Sequence, residues 1–140
     1  APAEWNADWI SPSLYRFASR KGIILPLTPF NDRLNRLFAM LREAVLETQG
    51  ALPLAVRRAI EARAAVQAGR PGKPEEMPAD LAPYVDKVAR FAYKVTDADV
   101  QRLHDSGYSD AAIFEATVSA AVGVASAGLE RTLGALRGAS

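Results

Sequence analysis

Residues 109–136 read SDAAIFEATVSAAVGVASAGLERTLGAL. Ser109 suits a helix N-cap, because its hydroxyl can accept from an unpaired backbone N–H of the first turn. Asp110 puts a negative charge at the positive end of the helix dipole, and Arg131 and Arg137 sit toward the negative end. Between Glu115 and Glu130 lie 14 residues, Ala116 to Leu129, with no charge and dominated by Ala, Val, Gly and Ser. A segment apolar around nearly its whole circumference is predicted to be a buried central helix. Ser119, Gly123 and Ala127 recur four apart on one stripe, and Ala116, Ala120 and Gly128 form another. Such stripes let a second backbone approach closely, in the core or at an oligomer interface. The uncharged run is shorter than the roughly 20 residues of a membrane span, so no membrane association is expected.

Around this helix the composition is that of an ordinary globular domain: 140 residues, 49% hydrophobic and 24% charged. A formal net charge of +1 gives no field that favours nucleic acid, and none is expected as a partner. The chain has no Cys, which excludes disulfides, thiolate metal sites and a cysteine nucleophile. With one His, sites needing two or more His are excluded too, so neither a metal nor a cofactor is expected. No apolar signal segment is visible, and a cytoplasmic setting is expected, with export left open.

Residues 1–27 read as an N-terminal arm. It carries both tryptophans, Trp5 and Trp9, then a Ser11-Pro12 start signal for a short helix and the apolar but proline-containing IILPL at 23–27. The indoles either pack on the body or a partner subunit, or stack on a ligand, Trp9 being the candidate. From Thr28-Pro29, helical spacing runs through Leu34, Leu37, Phe38, Leu41, Val45 and Thr48, with Arg33, Arg36, Arg42, Glu43 and Glu47 facing away. Leu52-Pro53 opens the next helix. Its apolar side is Val56, Ala59, Ile60 and Ala64, and Arg57, Arg58, Glu61 and Arg63 form a charged face. There Glu61 is spaced for surface pairs with Arg57 and Arg58, or the two arginines could hold an anion. Residues 69–79, GRPGKPEEMPA, are predicted to be an exposed, mobile loop, and they lack phosphate-loop spacing. Leu81, Tyr84, Val85, Val88, Phe91, Ala92 and Val95 predict an amphipathic helix over 80–94, with an exposed Asp86–Arg90 pair. Thr96 and Asp99 predict a capping box for a short helix that ends at Gly107. No segment alternates strictly, so the chain is predicted to be all-α, a compact bundle of five to six helices around the long C-terminal one.

Two stretches carry a family resemblance. ALPLAVRRAIEARAAV, Ala51 to Val66, resembles the Leu-Pro-x-x-x-Arg-Glu helix of the alkylhydroperoxidase D-like and carboxymuconolactone decarboxylase superfamily. VARFAYKVTDADVQRLHDSGYSDAAIFEATVSAAVGVASAGLERTLGAL, Val88 to Leu136, resembles its C-terminal part, with Arg131 where members usually have the Arg of an Asn-Arg pair. The resemblance covers roughly residues 28–136, which makes 28–140 the helical domain. It implies an all-helical homo-oligomer. Peroxidase members also carry a Cys-x-x-Cys and a His on helices between the two stretches, and a Glu in the Arg-Glu pair. Here there is no Cys, Arg58 stands at the Glu position, and the chain passes from Val66 through the Gly/Pro loop into the next helix. The catalytic hairpin is therefore expected to be shortened or missing, and thiol peroxidase chemistry, which needs a thiolate, is not expected.

Acid–base chemistry of the decarboxylase kind does not need Cys, but it needs a positioned acid or base. The candidate catalytic residues are His104, Glu61 and Glu115, and the candidate ligand-binding residues are Arg57, Arg58 and Trp9. Each also has a structural reading: His104 at the edge of an apolar face, Glu115 as a rim carboxylate or Arg partner, Glu61 as a surface ion pair. Three expectations stand side by side: a redox-inactive binding or structural oligomer, an acid–base enzyme for a small carboxylated molecule, and a subunit completed by a different chain.

Overall fold

The computed structural model describes residues 28–138, with side chains for 33 and 35–135. The expected arm, its short helix, Trp5, Trp9 and the side chains of Leu34 and Arg137 lie outside these. The architecture is all-helical, with no strand among the described residues: α1 Thr28–Glu47, α2 Leu54–Gln67, α3 Ala82–Phe91, a 3₁₀ turn Ala92–Lys94, α4 Asp97–Asp105 and α5 Asp110–Gly138. The punctuation works largely as the sequence predicts. Pro53 is the N-cap residue of α2. Thr96 and Asp99 form the capping box of α4. The Ser109 hydroxyl accepts from the Ala112 N–H at 3.2 Å, and Gly107 takes a positive φ of 95° at the α4–α5 turn.

The core lies where α2 and α3 pack on α5. Ile60, Ala64, Leu81, Val85, Ala116 and Ala120 are fully buried there. The most extensive packing is α2 on α5, with a close backbone approach at Gly123. A Cβ built at Gly123 would lie 2.2 Å from the Glu61 carbonyl oxygen and 3.1 Å from the Ala65 nitrogen. The first small-residue stripe therefore does what its spacing implies, with Ser119 and Ala127 buried beside Gly123. Tyr84 ties α3 to α5 through a 2.8 Å hydrogen bond with the Thr117 hydroxyl.

Several expectations change. The helix α5 is not buried all round: Phe114 is 69% exposed, Ala121 and Ala125 are exposed, and Gly128 on the second stripe faces open space. Asp110–Ala135 is long and apolar enough to cross a membrane: an 18-residue stretch within it has mean hydropathy 1.5, yet only half of that stretch is buried inside the fold. On α1, Leu37 and Leu41 are exposed and Leu46 is the buried residue, so the inward face is rotated from the expected one. Asp86 does not pair with Arg90. It holds a two-pronged bond from Arg63 at 2.7 and 2.8 Å, which joins α3 to α2. The loop at 69–79 is exposed apart from Arg70 and Met77. Arg70 is half-buried, and Met77 packs against the core.

Candidate functional site

Arg57 and Glu61, expected on a charged outer face of α2, are both 3% exposed. The reason is tertiary. Helix α1 and the connection 48–53 fold over that side of α2 and enclose it. The last carbonyls of α1 have no partner within the helix. Arg57 supplies one, donating from Nη1 to the Val45 carbonyl at 2.6 Å, from Nη2 to the Thr48 carbonyl, and from Nε to the Leu52 carbonyl at 3.2 Å. Glu115 completes the clamp from α5. Its two oxygens accept the backbone N–H groups of Ala51 at 2.8 Å and Leu52 at 2.7 Å, and one lies 4.0 Å from Arg57 Nε. Gly50 permits this approach, since a Cβ there would meet the Glu115 carboxylate at 2.3 Å. Arg57 and Glu115 thus lock the α1–α2 connection, and neither projects a free group toward a ligand.

Arg58, one residue on, is half-exposed and pairs with Glu47. The expected Glu61 pairs with Arg57 and Arg58 do not form. Glu61 lies between Arg42 at 3.5 Å and Arg70 at 3.4 Å, and Arg70 also makes a two-pronged bond to Glu130 at 2.8 and 3.0 Å. Arg70 holds the Glu130 carboxyl below its ordinary range. Arg42, Arg70 and Glu130 went unnoticed as partners because they come from α1, the loop and α5, and no local spacing links them. A cavity of about 370 Å³ opens above this group, lined by Arg42, Leu46, Arg58 and Glu61 among others.

His104 does not join Glu61. Its polar contacts stay within the α4–α5 turn: Nδ1 to the Tyr108 carbonyl at 3.1 Å and Nε2 to Asp110 at 2.9 Å. A second cavity, of about 450 Å³, lies between α3 and α4 and is lined by Tyr84, Lys87, Asp99 and Arg102. Asp99, read from the sequence only as a helix cap, is the hub there. Lys87 donates to it at 2.6 Å, the Thr96 N–H at 2.8 Å, and Arg102 bonds its other oxygen. The Lys87 hydrogen bond first, then that of the Thr96 N–H, lower the Asp99 carboxyl to about 2. Stabilisation from a depressed carboxyl is complete above its unfolded pKa, near 4, and is lost as the pH falls through the folded value. Acid unfolding followed by circular dichroism should therefore show stability falling between about pH 4 and pH 2. Asp99→Asn should flatten that decline and lower the melting temperature at neutral pH; an unchanged acid profile would contradict the role given to Asp99. No group of three or more His, Asp or Glu suited to a metal occurs among the described residues.

No family model matches the chain, and neither does any curated protein or solved structure.

Proposed function

We propose that this chain is a cysteine-less, redox-inactive relative of the alkylhydroperoxidase D-like proteins that acts as a non-catalytic, self-associating helical module. The observation that carries the reading is the commitment of two of its three candidate acid–base groups, Glu115 and His104, and of the candidate ligand-binding Arg57. Glu115 accepts two backbone N–H groups, Arg57 caps α1, and His104 is held by Asp110 and the Tyr108 carbonyl. A group fixed in structural contacts at rest is poorly placed to exchange protons with a substrate. The absence of Cys removes the thiolate route. The resemblance supports the scaffold and its association, and the departures from the family's motif argue against its redox activity.

A second reading has one observation in its favour. Glu61 is a buried carboxylate beside the cavity of about 370 Å³, with Arg42 and Arg58 at hand for a carboxylated ligand. The test is turnover. Protein free of contaminating peroxidases is expected to reduce no peroxide with a dithiol reductant and to consume no small carboxylated lactone. Lactone turnover that is lost in Glu61→Gln, with folding retained, would replace the first reading with the second.

A further inference from the structure

The side of α1 that faces away from Leu46 has no cover among the described residues. Leu37, Met40 and Leu41 are 52%, 65% and 51% exposed, and Ala44 is exposed beside them. These positions follow i, i+3, i+4, i+7, so they form one apolar stripe along the helix. A shallow groove of about 340 Å³ runs along it, lined by Met40, Glu43, Ala44, Glu47 and Thr48. Among the described side chains of α1, only Leu46 is buried.

We propose that this stripe docks on the same stripe of a second copy of the chain, the two α1 helices running antiparallel about a two-fold axis near Met40. The proposal deepens the self-associating reading above and rests on it. The stripe is self-complementary about its centre: in an antiparallel pair, Leu37 lies opposite the partner's Ala44 and Met40 opposite the partner's Leu41. An isologous two-fold contact requires such symmetry.

Charge fixes the direction. On one flank of the stripe, Arg33 and Arg36 precede the centre, and Glu43 and Glu47 follow it, all four exposed. Antiparallel packing about a two-fold brings like flanks together, which sets Arg33 opposite the partner's Glu47 and Arg36 opposite the partner's Glu43. Parallel packing about a two-fold brings unlike flanks together, so it forms none of these charge pairs. Glu47 already pairs with Arg58 of its own chain, so across the axis it would lie between two guanidinium groups. Arg42 points elsewhere, toward Glu61, and leaves the stripe clear. Among the described residues, the face left open on α5 has Phe114 as its one large exposed apolar side chain.

Light scattering on the full chain at micromolar concentration tests this. The expected mass is near twice 15.1 kDa, and Leu41→Asp is expected to return it to 15.1 kDa with helical circular dichroism unchanged, since Leu41 is exposed in the single chain. Arg36→Glu should weaken the dimer about tenfold, the effect of a lost charge pair plus a new repulsion, and Arg36→Glu with Glu43→Arg should restore it. Because the chain has no Cys, a single Met40→Cys reports the axis directly and should form an intermolecular disulfide on mild oxidation. Arg33→Cys, roughly 20 Å from its counterpart at 1.5 Å per residue, should not. A monomer at all concentrations overturns the proposal, as does a dimer that survives Leu41→Asp and is lost in Phe114→Asp. A monomer in which the Met40→Cys thiol resists maleimide overturns it too, and would put residues 1–27 over the stripe. The non-catalytic half of the reading fails separately, through the turnover assay.

Discussion

Replacing Gly123 with Ala is expected to destabilise the fold by roughly 2–4 kcal/mol, and Gly123→Leu to prevent folding. Helix propensity alone predicts the opposite sign, since Ala is favoured over Gly by about 1 kcal/mol inside a helix. Packing wins because the added Cβ would meet backbone rather than a flexible side chain, at 2.2 Å from the Glu61 carbonyl oxygen and 3.1 Å from the Ala65 nitrogen. Relief requires α2 to withdraw from α5. That opens the contact which buries Ala64, Ala65, Ser119 and Ala120. Gly128→Ala is the internal control. It lies on the same helix with nothing within 4 Å of its added methyl, so it should stabilise by up to about 1 kcal/mol. Urea unfolding of the two variants separates the effects, and equal stability of Gly123→Ala and the parent chain would contradict the crossing geometry.

Arg57→Ala should cost about 3–5 kcal/mol, the range for removing one partner from a buried charged network. Three carbonyls, those of Val45, Thr48 and Leu52, lose their donor together, and Glu115 loses its nearby cation. Arg57→Lys should recover only part of the loss, because a single ammonium cannot reproduce the planar fork that reaches three acceptors. Arg58→Ala, one position along the same helix, should change stability by no more than about 0.5 kcal/mol, since Arg58 is half-exposed with one surface partner. Thermal or chemical unfolding of the two alanine variants gives a direct comparison. Equal losses would show that the clamp on the α1–α2 connection contributes little.

The adjacent arginines show why the candidate site was only partly legible. In the sequence, Arg57, Arg58 and Glu61 are alike: charged residues at helical spacing, assigned to solvent. Nothing local separates the one that caps α1 from the one that meets water. Glu61 likewise gains its partners from α1 and from the loop after α2. Its burial depends on where those segments fold, not on its neighbours in the chain. Asp99 was legible as a capping residue because that interaction spans three positions, whereas its bond to Lys87 joins two helices.

The sequence by itself determined the all-helical class, the starts of α2, α4 and α5 at Pro53, Thr96 and Ser109, and Gly123 as a place of close approach. These are properties of local backbone chemistry and of spacing within one helix, so they are complete before any two helices meet. Only the tertiary structure decided which faces close. It rotated the inward side of α1 to Leu46, left Phe114 and the Leu37–Ala44 stripe exposed, and drew Arg57 and Glu61 into the interior with Glu115 half-buried beside Arg57. Burial is a relation between segments distant in the chain, and a charged side chain becomes internal where the carbonyls or N–H groups of another segment lack partners and it can satisfy them.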